Sequence, residues 1–198
     1  MNSAVDGVIL AAGRSSRMAS GNKLRAQLAG RGLLERVAER FSPQVSQLVI
    51  NLDSAFTDLP YPIVEDAVDG FRGPLVGLFS ALMSPHLSTA SYLAMVPCDG
   101  PFLPNDLVVK LYRAITAANA PIACARYAGV AQPTFSVWRK DIFSAVERAL
   151  FNNQNGGFKP LMSSFQTVYV DWPKQTLEPF FNINSDQDLA QAERLLCD

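Results

Sequence analysis

Four short runs in the first half of the chain are apolar at nearly every position: 7–11 (Gly-Val-Ile-Leu-Ala), 47–51 (Gln-Leu-Val-Ile-Asn), 63–65 (Ile-Val-Glu) and 91–96 (Ser-Tyr-Leu-Ala-Met-Val). A strand with one face in water alternates apolar and polar residues, so runs of this kind belong to strands covered on both faces. Helical patterns separate them, at Leu33 to Phe41, Pro74 to Met83 and from Pro104 to about Ala118. Such alternation predicts an α/β fold: three layers, Rossmann-like, with a mostly parallel central sheet. Further strands are expected at Ile122 to Ala125 and Pro133 to Trp138, and Ser185-Asp186-Gln187-Asp188 is a capping-box variant that opens a last helix to Leu196. With no repeat and no linker-like tract, residues 1–198 read as one domain.

In parallel sheets ligands gather beyond the carboxyl ends of the strands. The loops after Leu10, Asn51, Glu65 and Val96 all follow strands, so they converge on one crevice. The first of them, with Gly13, Arg14, Arg17, Gly21 and Lys23, offers backbone N–H groups near glycine and fixed positive charge, a pattern that suits phosphate oxygens. Leu24 after Lys23 breaks the P-loop pattern, and Arg14 and Ser15 after Gly13 break the dinucleotide fingerprint. An ordinary solvated strand–helix loop is the competing account. The formal net charge of −1 provides no global basic field, so no nucleic-acid partner is expected and an anion must be gripped locally.

A second signal is Val96-Pro97-Cys98-Asp99-Gly100-Pro101-Phe102-Leu103-Pro104, where a strand delivers a carboxylate to a rigid turn. One or two carboxylates suit Mg²⁺, which fills its remaining positions with phosphate and water. An Asx turn before Gly100 would also account for Asp99. The three cysteines, Cys98, Cys124 and Cys197, form no CxxC pair and read as reduced thiols. His86 is the sole histidine and no GxSxG elbow occurs, which leaves triad chemistry without support. Phe135 and Trp138 read as core, and Trp172 as a strand end or an edge of the cleft. The polar stretch Asn152 to Gly157 is expected to be a substrate-side lid or a connection. The opening MNSAVDG has no basic n-region and no apolar run spans a bilayer, so neither a signal peptide nor a membrane partner is expected and the location is cytoplasmic.

Taken together, these motifs resemble the nucleotidyltransferases, and more closely the molybdenum cofactor guanylyltransferases. Besides the two loops the resemblance includes Leu48-Val49-Ile50-Asn51, Val64-Glu65-Asp66 and Gly73-Pro74-Leu75-Val76-Gly77. Gln132-Pro133-Thr134-Phe135 and Phe181-Asn182-Ile183-Asn184-Ser185 extend it over nearly the whole length. It implies transfer of GMP from GTP to molybdenum–molybdopterin with release of pyrophosphate. By the same resemblance Leu10, Ala11, Ala12 and Gly13 meet the nucleotide through their backbone, and Arg17 and Lys23 hold its phosphates. Asn51 and Asp66 contact base or ribose, Asp99 carries Mg²⁺, and Asn182 and Asn184 face the catalytic centre from the molybdopterin side. The implied partners are GTP, molybdenum–molybdopterin, and proteins that deliver the cofactor or receive it as molybdoenzymes.

Three positions depart from the guanylyl pattern. Ala12 replaces a glycine and Asn22 replaces an aspartate before Lys23, both features of CTP-using relatives. Arg31-Gly32-Leu33-Leu34 lacks a proline common there, which affects only helix entry. The alternatives are therefore cytidylyl transfer to the same pterin and a non-catalytic module that binds nucleotide or cofactor. The C-terminal segments favour guanylyl transfer.

Overall fold

The computed structural model describes residues 4–12, 26–52, 60–69, 73–152 and 157–197. The apolar runs form strands β1 (Val5–Leu10), β4 (Leu48–Asn51), β5 (Ile63–Val64) and β6 (Tyr92–Pro97), all mutually parallel. Between them stand a two-stranded hairpin of β2 (Gln27–Leu28) and β3 (Arg31–Gly32), and helices α1 (Leu33–Phe41) and α2 (Pro74–Met83). Beyond β6 come α3 (Leu107–Ala117), β7 (Ile122–Tyr127), β8 (Val130–Arg139), α4 (Phe143–Asn152), α5 (Phe158–Ser163), β9 (Thr167–Trp172) and α6 (Asp186–Cys197). One seven-stranded sheet results, in the order β5-β4-β1-β6-β8-β7-β9.

Six of its strands run one way and β8 runs against them, paired antiparallel with both β6 and β7. The reason is local: β7 and β8 are joined through Ala128 and Gly129, with φ of 49° and 81°. Two positive-φ residues make the tight hairpin turn whose twist matches the flanking strands. Within β8 the register jumps beside Cys124 and Ala125, so that Ser136 and then Gln132 are their partners. Pro133 lies in this bulge, where its missing N–H costs no ladder bond.

Because successive side chains of a strand point to opposite faces, two cores form. Val5, Ile9, Ile50, Val96 and Val137 pack with Val37 and Phe41 of α1 and Leu107 and Leu111 of α3. Val8, Val49, Met95, Cys124 and Trp138 pack on the other face with Leu75, Leu78 and Phe79 of α2, Val146 of α4 and Leu161 of α5. The three-layer, mostly parallel α/β reading therefore holds. A third, smaller cluster joins Leu28, Leu33, Phe102 and Ile183 to Ala192 of α6, locking the C-terminal helix to the front of the molecule.

α4, α5, β9 and the β2–β3 hairpin are additions to the elements expected from sequence. Pro160 obscures α5, although it sits in the first turn where a missing N–H is harmless. The capping box at α6 is present: the Asp188 N–H donates to Ser185 Oγ at 3.2 Å, and the Asn184 N–H to Asp188 Oδ2 at 2.9 Å.

Candidate active site at the carboxyl edge of the sheet

From β1 the chain order runs one way to β4 and the other way to β6, which opens a crevice at the carboxyl ends of these strands. The backbone ladder continues past the strands here. The Cys98 N–H donates to the Leu10 carbonyl at 3.0 Å, and the Ala11 N–H to the Asn51 carbonyl at 2.8 Å. Leu10, Ala11, Asn51 and Asp99 are thereby brought to one rim, with Ala12 exposed at its lip. Gly13, Arg17, Lys23 and Asn22 lie outside the described residues, as do 153–156 of the polar stretch.

On one side of the crevice stands a buried amide. Asn51 is only 2% exposed, and its Nδ2 donates to Asp66 Oδ1 at 2.8 Å and to the Val64 carbonyl at 3.1 Å. Its Oδ1 rests against Gly77 of α2, filling the space a Cβ would need; the same Cβ would lie 2.8 Å from Leu10 Cδ2. The Gly77 of the GPLVG stretch is thus required by close approach of α2 to the ends of β1 and β4. Asp66 is half-buried, and its Oδ2 takes no hydrogen bond from any described residue. One residue further on, the Ala67 N–H donates to Ser80 Oγ at 2.8 Å, while the Ser80 hydroxyl donates to the Val76 carbonyl at 2.8 Å. Sequence reasoning passed over Ser80. Its signal is slight: a single hydroxyl in the otherwise apolar stretch of α2.

On the other side stands Asp99, 9% exposed, in the turn after β6. Its carbonyl accepts the Ile183 N–H at 2.9 Å, which docks the segment 181–184 onto the turn. A Cβ at Gly100 would meet Phe135 Cζ at 2.5 Å and Asn182 Oδ1 at 3.4 Å. Asn182 is therefore beside Asp99 in space although 83 residues later in the chain (182 − 99). Its Oδ1 is buried and takes no hydrogen bond from any described residue. Asn184 is exposed, its Nδ2 donating to the Asn182 carbonyl at 3.4 Å. The β8 bulge explains why Phe135 is there: it aims the ring at Gly100 and at Phe180, whose centroid is 4.9 Å away. Trp172 completes the cluster, edge-on to Phe180 at 5.3 Å and buried at the strand end.

Chemistry that needs a nucleophile and base finds no support among the described residues of this rim. His86 lies in the turn after α2, beside Leu87, at the amino edge of the sheet. Cys124 is fully buried, and burial pushes its thiol from 9.0 up to about 12, so it stays protonated. Among the described residues no three carboxylate, histidine or cysteine side chains gather to hold a metal. Nor is any helix among them long and apolar enough to cross a membrane.

A mostly parallel α/β sheet that presents carboxylates at its switch point, with no acid–base pair beside them among the described residues, agrees with nucleotidyl transfer, and the relatives of this chain are nucleotidyltransferases. Residues 7–168 match the MobA-like NTP transferase domain, and the chain belongs to that family. It is 36% identical to the molybdenum cofactor guanylyltransferase of Rhodopseudomonas palustris (strain BisB5) over 197 residues, covering 97% of this chain and 94% of the relative. The molybdenum cofactor guanylyltransferase of Bradyrhizobium sp. (strain ORS 278) is 35% identical over 197 residues, 97% of this chain and 93% of the relative. Among solved structures, molybdopterin-guanine dinucleotide biosynthesis protein A from Archaeoglobus fulgidus superposes with a TM-score of 0.80 at 21% identity, over 97% of this chain and 98% of that one.

Proposed function

We propose that this protein transfers GMP from GTP to molybdenum–molybdopterin. An oxygen of the pterin's terminal phosphate attacks the α-phosphorus of GTP, the bond from that phosphorus to the bridging oxygen breaks, and pyrophosphate leaves. The nucleophile is already ionised at neutral pH, so the reaction needs alignment and charge neutralisation rather than a base. That requirement agrees with a rim that carries carboxylates, amides and backbone groups and has its histidine at the far edge.

The observation that carries the reading is Asp66 held by Asn51, with Oδ2 left without a partner among the described residues. A carboxylate only accepts hydrogen bonds. Guanine presents two adjacent donors, its ring N–H and exocyclic amine, where cytosine presents one donor beside acceptors. Asp66 is therefore assigned to the guanine, with Asn51 holding its other oxygen. The names of the curated relatives agree. Backbone groups of Leu10, Ala11, Ala12 and Gly13 line the nucleotide, Arg17 and Lys23 neutralise its phosphates, and Asn182 and Asn184 face the pterin.

Asp99 fits Mg²⁺: it is a hard oxygen donor at the rim, and one carboxylate suffices where phosphates complete the shell. Bound there, the ion would offset the charge that builds on the leaving pyrophosphate. The reaction is placed in the cytoplasm, with a cofactor-delivery protein or a molybdoenzyme as the receiver of the product. The exposed Ala12, with its methyl at the lip of the crevice, favours a second reading in which CTP is the donor.

The test is pyrophosphate release with Mg²⁺ and freshly loaded molybdopterin, GTP and CTP in separate reactions. Preference for GTP supports the assignment, preference for CTP transfers it to the cytidylyl reading, and nucleotide binding without release makes the chain a binding module.

A further inference from the structure

We propose that α2 sets nucleobase selectivity from beneath the crevice, with Ser80 and Gly77 as positioning residues for Asp66. The inference rests on the reading of Asp66 as the guanine contact. Residues 65–69 form no helix or strand, and β5 before them pairs over only two residues. What fixes Asp66 is a set of side-chain bonds and one close contact that together reach α2. Asn51 ties the carboxylate and the Val64 carbonyl together, at 2.8 and 3.1 Å from one nitrogen. Ser80 ties the next peptide, accepting the Ala67 N–H at 2.8 Å while its own proton goes to the Val76 carbonyl at 2.8 Å. Gly77 lies one helical turn before Ser80 on the same face, and its missing side chain is the seat of the Asn51 carboxamide oxygen. Asp66 is thus gripped from its own side chain and from the following peptide, and both grips end on the same stretch of one helix.

Orientation and stability separate here for a physical reason. Ser80 is only 2% exposed, but the Val76 carbonyl keeps its helix partner when the hydroxyl is removed. The folded state therefore loses the one hydrogen bond of the Ala67 N–H, which water reaching that exposed residue partly makes good. Direction is what water does not restore. A carboxylate that turns freely still attracts donors, but it no longer distinguishes two adjacent N–H groups from one.

The experiment uses the full chain, with Mg·GTP and Mg·CTP affinities measured by calorimetry and pyrophosphate release assayed with loaded molybdopterin. Ser80→Ala is expected to weaken GTP by about fivefold, the worth of one net hydrogen bond, with CTP unchanged, kcat kept and the melting temperature nearly constant. Ser80→Thr, which keeps a hydroxyl, restores the GTP affinity. Gly77→Ala changes GTP affinity in the same direction, and the double variant Gly77→Ala/Asn51→Ala is no worse than Asn51→Ala, because the new methyl occupies the vacated space. If Ser80→Ala and Gly77→Ala bind both nucleotides as the parent does while Asp66→Ala loses GTP preference, the positioning role is wrong and the Asp66 assignment stands. A Ser80→Ala chain that melts early with its GTP/CTP ratio intact shows a merely structural hydroxyl and equally overturns the proposal. If Asp66→Ala itself leaves GTP preference intact, the Asp66 assignment fails and the inference falls with it.

Discussion

Lys140, just past the end of β8, places its Nζ 2.7 Å from Asp6 Oδ2 at the start of β1, two strands away across β6. Asp6 is fully buried and Lys140 largely so. The Ala90 N–H adds a 3.4 Å bond to the same carboxylate oxygen, and Lys140 also donates to the Leu87 carbonyl. Three segments are tied at the amino edge of the sheet, opposite the crevice. Breaking such a pair leaves an uncompensated buried charge. Lys140→Met should therefore destabilise the protein by about 3–5 kcal/mol in urea unfolding. Adding Asp6→Asn to it should recover part of the loss, and the GTP affinity of the folded fraction should stay at the parent value.

Gly100 has no room for a side chain, with Phe135 Cζ 2.5 Å from where its Cβ would stand. Gly100→Ala should displace the turn that carries Asp99 and lower kcat for pyrophosphate release by about tenfold or more, on the scale of a misplaced catalytic group. Phe135→Leu in the same chain should regain part of the rate. A Gly100→Ala enzyme with parental kcat would show that the turn is free to shift without consequence for the reaction.

Ala128 occupies the first central position of the β7–β8 hairpin at φ 49°, where a Cβ is strained. Asparagine tolerates that conformation and is favoured before glycine in this turn. Ala128→Asn should be stabilising by about 0.5–1 kcal/mol, raising the melting temperature by roughly 1–4 °C. Calorimetry reads this directly, and an unchanged or lower melting temperature would contradict the strain argument.

Cys124 gives a pH dependence whose sign is fixed. Burial holds its thiol at about 12 in the folded protein against 9.0 for the free group. Below 9.0 both states keep the proton and the group is neutral to stability; above it only the unfolded chain ionises. Stability therefore falls with rising pH between those values, by at most about 1.4 kcal/mol per pH unit from this group. Cys124→Ala should lose less stability than the parent between about pH 9 and pH 11 in urea unfolding under reducing conditions. Equal losses would mean that the thiol ionises in the folded state as readily as in the unfolded one.

Much of the molecule was legible in local pattern. Runs apolar at nearly every position specify strands covered on both faces, and the residues that end them, Leu10, Asn51, Glu65 and Val96, mark one edge of a mostly parallel sheet. Ser185 and Asp188 announced the start of α6 because a cap is satisfied within four residues. β9 was less legible: its outward residues include Tyr169 and Asp171, and its pairing with β7 is made across 45 residues (167 − 122). Pro160 hid α5, since a proline reads as a breaker unless the first turn is already known.

The site divides in the same way. The candidates for chemistry were visible in their types and their places after strands. Only the tertiary structure decided that the amide of Asn51 is bonded to Asp66, that Gly77 makes room for it, and that β8 enters the sheet backwards between β6 and β7 to set Phe135 beneath Gly100. A strand or a cap is fixed by neighbours a few residues apart, so the chain itself records it. The contact between Asn182 and the Asp99 turn depends on the summed register of a whole sheet and on side-chain volumes from separate helices, and no local pattern carries that information.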